Sequence, residues 1–95
     1  MSRVVRSIVL RNVERTELAV QSLKAELADR SASIDEWREL LRAYRAQAQA
    51  VSSAATFYRA GSAARKFAEM SARLLEQEIE LLQANFDRAY AGAGA

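Results

Sequence analysis

The side chains best suited to chemistry in this sequence are one glutamate and a strip of arginines. Glu78 falls inside an apolar arc, between Leu74 and Leu81 on one side and Leu75 and Leu82 on the other. A carboxylate sunk among such neighbours needs a partner or a raised pKa. It could then act as a general acid or base, or as a polar hook for a ligand or for register. The plainer reading, preferred here, puts it at the rim of an interface, reaching water or an arginine such as Arg45. No second carboxylate is spaced to complete an acid/base pair with it. Arg38, Arg42 and Arg45 share a helical edge beside Trp37, Leu41 and Tyr44, and Arg59, Arg65 and Lys66 follow. Such a strip could track phosphates with aromatics nearby, as a nucleic-acid or nucleotide-ligand site would require. The competing reading is an exposed edge whose arginine stems cover the core margin and pair with acids opposite. A net charge of only +2, from 14 basic and 12 acidic residues, favours that second reading.

Composition removes most other chemistry. The chain has no histidine and no cysteine. Zinc sites and histidine-dependent nucleophile systems in their usual forms are therefore excluded, and disulfides with them. Glu14 with Glu17 and Glu76 with Glu80 have helical spacing, but without histidine they read as solvated faces rather than a metal pair. No enzyme, metal or cofactor is expected. Charge is uneven along the chain. From Arg38 to Lys66 six cations face one acid, net +5, and from Glu69 to Asp87 five acids face one cation, net −4.

Positioning these residues calls for helices. There is no proline, and two of the three glycines stand in the last four residues. The interior thus has almost no backbone breakers, and no stretch alternates as a strand would. The organising pattern is Ile34, Trp37, Leu41, Tyr44, Ala48, Val51, Ala55 and Tyr58, with steps of three and four throughout. That is one apolar face of a helix, which cannot bury itself and needs partner helices. Upstream, Val5, Val9, Val13, Thr16, Val20, Leu23 and Leu27 make a comparable stripe, with Val4, Ile8 and Leu18 to one side. Downstream there are two rows, one of Phe67, Met70, Leu74 and Leu81, the other of Leu75, Ile79, Leu82, Phe86 and Tyr90.

Two boundaries separate the segments. Ser33 followed by Glu36 is a capping box, with Asp35 adding favourable charge to the first turn. Gly61-Ser62 pairs a residue suited to a left-handed helix end with one suited to an N-cap. The apolar face also changes sides there. The alanines at 43, 46, 50 and 54 are placed on the outward side of the middle segment. The expectation is an all-α antiparallel three-helix bundle with helices near 3–29, 34–60 and 63–90, Trp37 and Tyr44 mostly buried. Residues 1–90 form one domain and 91–95 a disordered Ala/Gly tail. The rival is a long hairpin in which 34–90 is one helix completed by oligomerisation.

Functionally, these patterns point to a cytoplasmic helical interaction module rather than an enzyme. No run of apolar residues is long enough to span a membrane, and the start is too interrupted for a secretory signal. One small core needs about one stripe per helix. The surplus suggests self-association, most simply a dimer, or a helical protein partner, through Val4, Ile8, Leu18, Phe57, Leu75, Ile79, Leu82 and Phe86. Nucleic acid is the secondary expectation.

Overall fold

The structure, a computed structural model, describes residues 3–28 and 33–90, with side chains from Arg6 onward. Three helices follow one another: α1 Arg3–Leu27, α2 Ile34–Ala55 and α3 Ala63–Ala89. No strand occurs among the described residues. The helices pack as a three-helix bundle, α2 against both neighbours. Residues meet in antiparallel order: Tyr44 of α2 reaches Glu78 of α3, whereas Thr56, past the end of α2, borders Arg65 and Glu69.

The start of α2 follows from its cap. Ser33 is extended at φ −74 and ψ 166; its hydroxyl accepts from the Glu36 amide at 3.2 Å and its own amide donates to Glu36 Oε1 at 3.1 Å. Both orphan donors are thereby satisfied reciprocally. The end of α2 departs from expectation. The helix stops at Ala55, and Thr56, Phe57 and Tyr58 donate back three residues, to Ser53, Ala54 and Ala55. Such tightening suits a β-branched and aromatic run that loses rotamer freedom in a regular helix. Thr56 also donates its hydroxyl to the Ser53 carbonyl at 2.7 Å. Gly61 is therefore not the cap of α2. It lies just ahead of the α3 N-cap Ser62, at φ +80, where an L side chain is strained although a Cβ would meet nothing within 4 Å. The Ser62 hydroxyl accepts from the Arg65 amide at 3.2 Å. A single helix over 34–90 is thus excluded by a left-handed residue and a fresh cap in its middle.

Helix α2 is the wall shared by the other two. Its buried residues include Leu41, Ala48 and Ala55 on one flank and Leu40, Ala50 and Ala54 on the other, spanning roughly half the circumference at 100° per residue. Arg45, Ala48 and Ser52 border α3, so Ala50 and Ala54 belong to the flank that meets α1. This corrects their assignment to the outward side, and that of Ala43, which packs against the core: the small side chains of Ala50 and Ala54 are buried where α1 lies on α2. The core centres on Val20, Leu40 and Tyr44, with Leu23, Leu27, Trp37, Ala43, Leu75, Ile79 and Leu82 packed against it. Tyr44 is buried as expected, whereas Trp37 is only partly so. From Val9 to Leu27 the α1 stripe is buried or partly buried, its one polar member Thr16 donating to the Asn12 and Val13 carbonyls at 2.9 Å; the Val5 side chain lies outside the described residues. Between α1 and α3, no pair of Cα atoms comes within 8 Å among the described residues.

Candidate functional site

Because α1 and α3 stand apart over α2, their separation forms the main surface feature of the bundle. Toward one end it is bridged by polar groups from all three helices. The Tyr44 hydroxyl donates to Glu78 Oε1 at 3.0 Å, and Lys24 Nζ stands 3.8 Å from the same oxygen. Lys24 also lies over the Tyr44 ring, 5.8 Å from its centroid. Glu78 is not buried: its side chain is 46 % exposed and that of Lys24 54 %. The rim reading of Glu78 is correct, but its partners are Tyr44 and Lys24, while Arg45 donates to Gln83 at 2.8 Å. Burial pushes the Tyr44 hydroxyl above its ordinary pKa of 10.0, against the pull of Lys24, and Glu78 pushes the same way as burial. Lys24 is held above its ordinary 10.5 first by the Tyr44 oxygen and then by Glu78. Both shifts carry Tyr44 and Lys24 further from neutrality, so neither is tuned to exchange protons there.

Toward the other end the separation opens into a groove of ≈ 860 Å³. Leu10 and Val13 form its α1 wall, Val51 and Tyr58 its floor, Phe67 and Leu74 its α3 wall. Arg6 sits over the Tyr58 ring, 6.0 Å from its centroid, and ties the start of α1 to the residues after α2. The groove is chiefly apolar, with Glu17 and Gln47 at the edge it shares with the polar bridge. A shape of this kind suits the apolar face of another helix.

The exposed apolar surface differs in detail from the sequence expectation. Leu75, Ile79 and Leu82 pack against the core and Phe86 is partly buried against Tyr90, 4.9 Å between ring centroids. The outward row of α3 is the other one: Phe67 is 71 % exposed, Met70 52 %, Leu74 58 % and Leu81 67 %. On α1, Ile8 and Leu18 are exposed as expected, and Phe57 after α2 is half-buried. The Val4 side chain and residues 91–95 lie outside the described residues.

The basic residues do not converge. Arg38 approaches Asp35 at 3.8 Å, and Arg65 pairs with Glu69 at 2.9 Å while also donating to the Tyr58 carbonyl at 3.4 Å. Arg42, Arg59 and Lys66 are exposed, Arg42 on α2, Arg59 within the α2–α3 connection and Lys66 near the start of α3. Glu14, Glu17, Glu76 and Glu80 are exposed, and no group of three acidic side chains gathers as a metal would need among the described residues. No described helix is long and apolar enough to cross a membrane. No protein-family model, curated protein or solved structure matches the chain.

Proposed function

We propose that this chain is a cytoplasmic, non-enzymatic helical interaction module that self-associates through apolar helix faces left over once its own core is built. The observation carrying this reading is the outward row Phe67, Met70, Leu74 and Leu81, which continues into the open α1–α3 groove. Four large apolar side chains on one face of a helix are costly to leave in water, and contiguous patches of this kind commonly mark contact surfaces. The dispersion of the arginines, with Arg38, Arg45 and Arg65 already engaged within the chain, gives a phosphate-tracking strip less support.

Mass in solution tests the proposal. Sedimentation equilibrium should give at least twice the 10.5 kDa chain mass. Leu74→Glu should lower it with the far-ultraviolet circular dichroism unchanged, because residue 74 contributes little to the intrachain core. A monomer at every concentration would overturn self-association.

A further inference from the structure

The exposed row of α3 is bordered by charges whose order is informative. Phe67, Leu74 and Leu81 repeat at seven-residue intervals, and Met70, Gln77 and Ala84 form the adjacent line. Ala72, Ile79 and Phe86 lie on the opposite side and are buried or partly buried. Beyond the Met70 line runs a border of Lys66, Arg73, Glu80 and Asp87, again seven residues apart and all exposed. The first two are positive and the last two negative. Among the described residues Lys66, Arg73 and Glu80 have no ion-pair partner, and Asp87 accepts only from Gln83 at 3.0 Å.

Resting on the self-association reading, we infer that α3 pairs antiparallel with α3 of a second copy, across a two-fold axis, in the register that sets Arg73 against the partner's Glu80. The same register sets Lys66 against the partner's Asp87. Two-fold symmetry repeats both pairs, so the whole border is matched by its own reverse. The apolar lines interleave in that register: Phe67 opposes the partner's Ala84, Met70 opposes the partner's Leu81, and Leu74 opposes the partner's Gln77. The other border brings Ser71 to the partner's Glu78 and Ala64 to the partner's Asn85, without like charges.

The alternatives are less favourable. Sliding by one heptad brings Arg73 onto the partner's Arg73, or Glu80 onto the partner's Glu80, and like charges in register are a recognised means of excluding a pairing. A parallel pairing would bring Arg73 to the partner's Glu78, whose carboxylate is already held by Tyr44 and Lys24. It would leave Lys66, Glu80 and Asp87 unmatched. The charge order therefore selects orientation and register together, and the apolar row supplies the contact.

Sedimentation equilibrium on the full chain, with helicity followed in parallel, tests this. Arg73→Glu and Glu80→Arg should each weaken the dimer about tenfold, since each turns two symmetry-related attractions into repulsions. The double variant Arg73→Glu/Glu80→Arg should return to wild-type affinity. A second measurement leaves the Arg73–Glu80 pairing untouched. The chain has no cysteine, so an equimolar mixture of Lys66→Cys and Asp87→Cys chains with a short thiol cross-linker should yield the mixed dimer over either same-variant dimer. A dimer that ignores both charge swaps, or same-variant cross-links in preference to mixed ones, would overturn the α3 pairing. If that dimer still dissociates on Ile8→Glu, self-association survives through α1. A wild-type monomer would overturn both readings.

Discussion

The Tyr44 hydroxyl donates to Glu78 Oε1 at 3.0 Å, joining the middle helix to the third at the point where Lys24 of the first arrives. Tyr44 is almost wholly buried, at 3 % exposure, yet its oxygen reaches a half-exposed carboxylate. An aromatic body in the core with its hydroxyl at the rim satisfies both halves of the side chain.

Removing that hydroxyl should cost stability and change its pH dependence. Tyr44→Phe should destabilise by about 1 kcal/mol, the usual net worth of one hydrogen bond. Tyr44 and Lys24 both titrate above their ordinary values in the fold. Below pH 10 the stabilising protonated forms are retained in full. As pH rises past 10.0 and 10.5 the unfolded chain gives up these protons first, so the folded state binds more and stability falls. Chemical denaturation between neutral and alkaline pH should show this decline, and Tyr44→Phe should flatten it, because Tyr44 is also the leading cause of the Lys24 shift. An unchanged alkaline slope in the variant would assign the decline to other groups.

The connection before α3 should be sensitive to a single methyl group. Gly61 stands at φ +80 with open space where a Cβ would go. Gly61→Ala should therefore destabilise through backbone strain alone, by about 1 kcal/mol. Gly61→Asn should cost less, because asparagine tolerates the left-handed region better. Thermal melts of the two variants check the order; equal melting points would mean the strain is relieved locally.

Burial of a small side chain between α1 and α2 gives a third expectation. Ala50 is only 3 % exposed, on the α2 flank that meets α1. Ala50→Leu should destabilise by about 1–3 kcal/mol through overpacking. Ala46→Leu, at an exposed position on the same helix, should be nearly neutral. Denaturant midpoints for the pair measure the contrast, and two equally tolerated leucines would place Ala50 outside the tight contact.

The elements were legible in the sequence where local chemistry decides them. The Ser33–Glu36 box, the Ser62 cap and the α1 stripe need only the residues beside them, and the three-helix bundle follows from their spacing. Two features were not legible, for a common reason. Periodicity locates an apolar line but does not say which neighbour covers it. The two rows of α3 are equally hydrophobic as text, and only the placement of α2 decides that Leu75, Ile79 and Leu82 turn inward while Phe67, Leu74 and Leu81 turn out. Ala50 and Ala54 likewise read as simple helix formers until α1 is seen against them. The early end of α2 depends on three-residue hydrogen bonds at Thr56, Phe57 and Tyr58, which apolar spacing through Tyr58 conceals. The lone glutamate in the apolar arc was a correct signal of an unusual position, but its partners come from two other helices and no local pattern names them.

The absence of close backbone approach between α1 and α3 has a consequence for how the molecule comes apart. Each outer helix is held chiefly by α2, so α1 can swing away while α2 and α3 stay docked, or the reverse. The Lys24–Glu78 link and the few apolar groups beside it are what couple one such opening to the other. Substitutions in α2 disturb both outer helices at once, whereas those in α1 or α3 disturb mainly one. The middle helix is consequently where this sequence has least freedom to drift, and the outer faces are where it has most.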